Sequence, residues 1–356
     1  MKKVLALILA LIMSLSLVAC GAKETPAPEK EEAPKQEATT EAPAAADALV
    51  IRLAHVVADG SSLDQGLDEF ARIVGEKSNG SIKVELYPNS TLGDNTALAE
   101  QLQFGSLEMA CPSIAAVSGF CKATAIFDMP FLFKNTDAAE EALDESDLGK
   151  TVAAGLEESG FHVMGYFTQG QRHLTCNVEA RGPEAMKGIK IRTMDSKYHM
   201  MAWNSMGASA TPMAFSEVYT ALQQGTIDAQ ENPYTNIVTS RFYEVQDYIV
   251  ETAHIYDVCP LLYSKALWDT LTDDQKAILE EATKEALPIA RQIVVDNTDG
   301  ERQQVVDAGT TIVNLTVEER ESFRQAAMPC YDDYKAAYGE EATRLLAIVD
   351  EVNAKH

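Results

Sequence analysis

The stretch from Gly188 to Asn236 constrains this chain most. It reads GIKIRTMDSKYHMMAWNSMGASATPMAFSEVYTALQQGTIDAQENPYTN. Two short apolar runs, Ile189–Ile191 and Ile227–Ala229, predict buried strands, and two helical patterns lie between them. Each strand ends on a polar group, Arg192 or Asn232. The result is a β-α-α-β plan with side chains projecting where strands stop. In α/β sheets, ligands bind beyond the carboxyl ends of the strands. The stretch therefore reads as half of a binding cleft for an anion.

The rest of the chain supplies a second half. At 356 residues it is long enough for two domains. Leu49 to His55 predicts a first strand. Ser61 to Lys77 has helical spacing with Ser62 as N-cap. Asn79-Gly80 marks a turn before a strand over Ile82–Tyr87, and Asp94 caps a helix running through Phe104. Leu107 to Cys111 predicts a third strand, leading into Ser113. This alternation predicts a mostly parallel sheet. Ala125 to Phe133 suits a packed crossover, and Thr136 to Glu158 is helical. Phe161 to Phe167 predicts a strand running into a glycine-containing turn, Thr168 to Arg172. Tyr248 to Thr252 predicts another strand. Pro260 demotes Val258–Tyr263 to an edge strand or crossover. Asp273 to Asp307 is one long helical pattern, with a kink expected at Pro288. A helix of that length can lie across two domains. Thr310 to Leu315 predicts a short strand, and helices complete the chain.

The N-terminus reads as a targeting segment. Lys2 and Lys3 precede an apolar run, Val4 to Val18, too short to span a bilayer comfortably. Leu17-Val18-Ala19-Cys20-Gly21 resembles a bacterial lipobox, in which Cys20 becomes the lipidated N-terminus. An ordinary signal peptide with a chance cysteine is the alternative. Residues 21–48, rich in Ala, Pro, Glu, Lys and Thr, have no apolar period and read as a disordered tether. Loss of the leader takes the formal charge from −25 to −27, since it carries two lysines and no acid. So acidic a chain should repel nucleic acid. A small anion would need a local, well-placed cation. Beyond Cys20, five cysteines remain, with no C-x-x-C spacing. Buried free thiols fit better than a zinc site or disulfide framework, although a Cys111–Cys121 bridge fits the count too.

Motifs for a Walker loop, a zincin, a nucleophile elbow or a dinucleotide fold are absent from the sequence. No metal site, catalytic residue or cofactor is expected. His162 and His254 sit in or beside apolar runs and read as structural. Two arginines stand out. Arg192 follows a strand directly, and Arg172 follows another through a short loop. A guanidinium fork matches a carboxylate bidentately. A lone arginine is more simply a surface or interdomain salt bridge, and Asn232 before Pro233 a turn residue, so the inference needs the three together.

They do come together in a family resemblance. Gly188-Ile189-Lys190-Ile191-Arg192, then the run Gly207 to Gly225 and Asp228 to Pro233, resemble the signature region of TRAP-transporter solute-binding proteins, the DctP family. His55-Val56, Leu92-Gly93-Asp94 and Phe242-Tyr243-Glu244-Val245 extend the likeness from about residue 49 to the C-terminus. One departure is Ala229, where the family commonly has glycine. The resemblance implies a periplasmic-binding-protein-like (Venus flytrap) α/β fold of two domains, with hinge strands and a long domain-spanning helix. Residues 49–169 plus about 258–300 would form domain I, and 170–257 plus about 301–356 domain II. It implies a receptor, not an enzyme, that captures a small organic acid outside the membrane. The receptor would deliver it to the small and large subunits of a TRAP permease. By position, Arg192 would be the main carboxylate clamp, Arg172 a second cation, Asn232 a hydrogen-bond partner and Phe215 an apolar wall. His55, Ser113, Met194 and Gln230 fall where neighbouring contacts would lie. Both a sugar acid such as a uronate and a C4-dicarboxylate fit this set. A secreted carboxylate-acting enzyme and a sensory lipoprotein without a permease are the alternative functions. A monomer is expected for a delivery protein.

Overall fold

The computed structural model describes residues 48–356, so the leader, Cys20 and the tether read from the sequence lie outside the described residues. Strand β1 (Leu49–Ala54) pairs in parallel with β2 (Ile82–Tyr87), from Leu49 opposite Ile82 to Ala54 opposite Tyr87. Helix α1 (Ser62–Lys77) connects them and buries Leu63, Leu67, Phe70, Ile73 and Val74 at helical spacing. Its N-cap is Ser61, not Ser62: the Ser61 hydroxyl accepts from the Asp64 amide at 3.3 Å. Ser62 is already committed across the molecule. Its amide donates to Thr235 Oγ1 at 2.9 Å, and its hydroxyl accepts from Asn297 Nδ2 at 3.1 Å.

Helix α2 (Asn95–Phe104) is capped by Asp94 and closed by Gly105 in the left-handed region. The two-residue strand β3 (Met109–Ala110) pairs in parallel with β1, and the short α3 (Ile114–Val117) follows. The crossover region holds a 3₁₀ helix, Lys122–Asp128. The helical stretch beyond it is two helices, α4 (Thr136–Asp144) and α5 (Asp147–Glu158), each with its own side-chain cap from Asn135 and Ser146.

Several sequence expectations are corrected from here on. The predicted strand at Phe161–Phe167 does not end in a turn. Strand β4 spans Phe161–Cys176 and keeps pairing with its neighbour through register shifts at Val163/Gly165, Thr168/Gly170 and Arg172/Leu174. Gly170, at φ 87°, takes the conformation one of these bulges requires, which is why the segment reads as a turn.

After β4 come β5 (Lys190–Thr193), α6 (Lys197–Ser205), β6 (Ser209–Pro212), α7 (Val218–Gln223) and β7 (Ala229–Asn232). The plan is thus β-α-β-α-β. Strand β6 gives no strand signal because it is mostly exposed and carries no large apolar residue. Strand β7 begins where the apolar run ends. Its sequence, Ala-Gln-Glu-Asn, is wholly buried, so side-chain hydrogen bonds rather than apolar period define it.

After α8 (Tyr234–Thr239), β8 covers Tyr248–Ser264 without interruption. Pro260 is accommodated inside this central strand. It lies opposite Tyr166 of β4, while the strand on the other flank, β3, reaches only Leu262 and Tyr263. One side of β8 is therefore free of a ladder at Pro260.

The sheet order is β2-β1-β3-β8-β4-β7-β5-β6. Its middle is antiparallel, β8 against β3 and β4 and β4 against β7, so the sheet is mixed rather than mostly parallel. The two long strands tie a β1–β3 group to a β5–β7 group.

Helix α9 (Lys265–Trp268) leads to α10 (Asp273–Asp307), which begins in a capping box at Thr272 and Gln275 and continues helically through Pro288. It packs along α1, β4 and α8. Gly66 makes the approach to α1 close, because a Cβ there would stand 2.6 Å from Ala290 Cβ. Strand β9 (Thr311–Val313) pairs with the start of β8, and α11 (Val317–Ala326) and α12 (Pro329–Asn353) complete the fold. The five cysteines of the described body are free and buried.

Candidate functional site

The carboxyl ends of β5 and β7 and the middle of β4 deliver their polar residues to one place. Arg172, Arg192, Met194, Phe215, Asn232, Asn236, Gln169 and Asp257 line a cavity opposite Val56, Val57, Leu63, Asn95, Cys111 and Ser113. The second set comes from the ends of β1 and β3 and the starts of α1 and α2. The cavity holds about 20 Å³, near the room one water needs. A neighbouring cleft of about 250 Å³ shares Asn95, Arg192, Met194 and Phe215 with it. Arg192 thus stands where cavity and cleft meet.

The two arginines differ in electrostatic state. Arg172 is 1% exposed and compensated twice. Its Nε and Nη2 donate to Glu231 at 2.6 and 2.9 Å, and Nη1 donates to Asp257 Oδ2 at 2.9 Å. Nη2 also reaches the Glu231 carbonyl at 2.6 Å and Asn232 Oδ1 at 3.2 Å. Burial alone would depress this guanidinium, but the attraction of Glu231 and Asp257 overrides it and raises its pKa. Burial would likewise raise the Glu231 carboxyl; Arg172 and the hydrogen bond to His254, at 3.0 Å, instead bring it well below the carboxylate range. For Asp257 burial wins over Arg172, and its carboxyl lies above the usual range.

Arg192 is equally buried, at 2% exposed, and is not compensated in this way. Its Nε and Nη2 both donate to one carbonyl, that of Met213, at 2.9 and 2.6 Å. Among the described residues no carboxylate forms an ion pair with it. Burial lowers its pKa to about 10, Glu231 pulling up and Arg172 pushing down, so it still carries a full charge at neutral pH. The Phe215 ring lies 6.0 Å from its Cζ, at cation–π range. A buried cation held by one backbone oxygen, beside a cavity, is an electrostatic vacancy for an anion.

Of the eight positions marked by the sequence, six (Arg172, Arg192, Met194, Phe215, Asn232 and Ser113) line this cavity. His55 and Gln230 stand behind it. His55 Nε2 pairs with Asp64 Oδ1 at 2.9 Å. Gln230 donates to Thr175 Oγ1 at 3.0 Å and accepts from Asn232 Nδ2, fixing that amide. Sequence reasoning passed over Gln169, Asn236, Asp257 and Glu231. The polar run Gln230-Glu231-Asn232, in a stretch patterned as a buried strand, was the available signal for Glu231. Asp257 and Gln169 come from the facing strands β4 and β8, and no local pattern links them.

Two long crossing strands, α/β groups on either side and a buried arginine at the junction define the two-domain binding-protein class. The comparisons agree. A structure of the sugar-acid-binding protein DctPAm from Advenella mimigardefordensis, in complex with galactonate, superposes with a TM-score of 0.83 at 30% identity, over 86% of this chain and 99% of that one. A TRAP periplasmic solute-binding protein from Shewanella oneidensis with bound succinate gives 0.82 at 26% identity, over 86% and 99%. The C4-dicarboxylate-binding periplasmic protein DctP of Rhodobacter capsulatus is 33% identical over 301 residues, 84% of this chain and 90% of its own length. The profile of the DctP family, bacterial extracellular solute-binding protein family 7, matches residues 53–337. The chain belongs to that family.

Proposed function

We propose that this protein is a receptor that captures a small organic acid by a carboxylate held on Arg192 and hands it to the small and large subunits of a TRAP permease. The observation that carries the reading is the electrostatic state of Arg192, buried, charged and without a carboxylate partner among the described residues. Asn232, Phe215, Ser113 and Met194 are assigned to the walls around the ligand. Arg172 orients Asn232 while its charge stays balanced by Glu231 and Asp257. A sugar acid, a uronate or a C4-dicarboxylate exceeds the room in the cavity, so binding requires the two sides to separate and close again. The proposed lobes are residues 49–169 with about 258–300, and 170–257 with about 301–356, hinged through β4 and β8. Support comes from the cavity drawing its lining from both. A receptor, not an enzyme, is the role assigned, acting as a monomer.

A thermal-shift screen over small organic acids tests this directly. A ligand bound only by the native state at a hundredfold over its Kd adds about 2.7 kcal/mol to stability. At least one carboxylate should therefore raise the melting temperature by several degrees. Failure of every carboxylate in a broad panel to shift it would refute the anion reading.

The site of action is proposed to be the outer face of the cell membrane, with Cys20 as lipid anchor. The support is the basic start, apolar run and Leu-Val-Ala-Cys sequence, together with a described body in which no helix is long and apolar enough to cross a membrane. Replacing Cys20 by Ser should move the protein from the membrane fraction to the soluble extracytoplasmic fraction. Continued membrane retention would rule out the anchor.

A further inference from the structure

Two side chains in the cavity keep an acceptor that nothing among the described residues satisfies. Gln169 and Asn236 both line it, are 5% and 2% exposed, and leave Gln169 Oε1 and Asn236 Oδ1 without a hydrogen-bond partner. Neighbours fix which end of each amide is which. Arg172 can only donate, so Asn232 turns Oδ1 toward it. Asn236 must then offer Nδ2 to that same oxygen, at 3.1 Å, and its own Oδ1 is left over. Gln169 Nε2 is held by Asp257 Oδ2 at 3.1 Å and Cys259 Sγ at 3.3 Å, which leaves Oε1 over. On the facing wall, Asn95 Oδ1 is also buried without a partner. Buried acceptors are rarely left unpaired, and each exception calls for a donor to complete it.

The charge balance points the same way. Two buried arginines face two buried carboxylates, Glu231 and Asp257, both committed to Arg172. Among the described residues, no lysine and no third arginine lines the cavity or the adjoining cleft, whose other charged residues are Asp94 and Asp195. One ligand carboxylate therefore meets Arg192, and a second finds no further uncompensated cation among the described residues that line the cavity and the cleft.

We infer that the ligand is a polyhydroxylated monocarboxylate, an aldonate or uronate, whose hydroxyl groups donate to Gln169 Oε1 and Asn236 Oδ1, and that C4-dicarboxylates are discriminated against. This rests on the anion reading of Arg192 and narrows it. A carboxylate end of succinate can only accept, so it cannot satisfy either amide oxygen. A sugar hydroxyl donates to one and can accept from elsewhere.

The test is calorimetry on the purified full-length protein with a panel of D-aldonates and D-uronates, succinate, and hexanoate as a carboxylate without hydroxyls. The tightest sugar acid should bind at least about tenfold more tightly than succinate or hexanoate. Asn236→Leu should reduce sugar-acid affinity by about tenfold or more while leaving that for hexanoate within about twofold. Hexanoate binding also reports that the variant is folded, and the wild-type ranking decides the matter if it is not. Succinate or hexanoate binding as tightly as every sugar acid would overturn the inference and leave the anion reading intact. So would an unchanged sugar-acid to hexanoate ratio in Asn236→Leu. Absence of binding by all the acids would sink both.

Discussion

Arg192→Ala is expected to reduce affinity for the captured acid at least tenfold. Truncating one partner of a desolvated, hydrogen-bonded charge pair costs about 2–5 kcal/mol, and each 1.4 kcal/mol is a factor of ten in Kd. The loss should fall on binding rather than on folding. Among the described residues the side chain donates only to the Met213 carbonyl and has no carboxylate partner, and removing such a buried cation relieves the free protein of a desolvated charge. The melting temperature without ligand should therefore hold or rise. Arg192→Lys should also bind poorly, because one ammonium cannot hold Met213 and grip a carboxylate bidentately. Calorimetry returning wild-type affinity in Arg192→Ala would remove the central residue from the site.

Glu231→Gln is expected to do the reverse, lowering stability by about 3–5 kcal/mol, the usual cost of removing one member of a fully buried ion pair. Glu231 is completely buried and is the partner of both Arg172 and His254. Its replacement leaves Arg172 with Asp257 alone, and burial already biases that carboxyl toward its neutral form. The sign of the pH dependence follows. The folded-state pKa of Glu231 is depressed below its ordinary value. Its stabilisation is therefore present above the ordinary carboxylate range and is lost as pH falls toward the folded pKa. Asp257 is displaced upward and works in the opposite direction. The difference between wild type and Glu231→Gln isolates the Glu231 term: their urea midpoints should be far apart at pH 7 and converge as the medium becomes acid. Equal midpoints at pH 7, or a gap that widens in acid, would show that the pair does not hold the fold together.

How much of this was legible beforehand depends on how local each cause is. Helices α1, α2 and α10 could be read because amphipathic period and caps reside in neighbouring residues, as with Asp94 and α2. The same is true of β1 and β2. The β4 and β8 strands were read too short because bulges and Pro260 look like stops in isolation. They are tolerated because each strand has a long antiparallel partner that resumes after the irregularity. At the site, Arg192, Arg172 and Asn232 were marked by their places near predicted strand ends, although Arg172 lies inside β4, and nothing local shows that one arginine is balanced by two carboxylates and the other, among the described residues, by none.

The sequence alone determined the α/β alternation, the family and the residues proposed to grip a carboxylate, since these depend on short-range pattern and motif order. The tertiary structure decided the electrostatic roles. Only when β4, β7 and β8 lie side by side do Glu231 and Asp257 reach Arg172 and leave Arg192 with no carboxylate partner among the described residues. Only then do Gln169 and Asn236 have their amide nitrogens engaged and their oxygens left over. The energy of a charge or an acceptor is set by whatever lies within a few ångströms of it and by the loss of water around it. In this protein those neighbours are between 4 and 90 residues away along the chain.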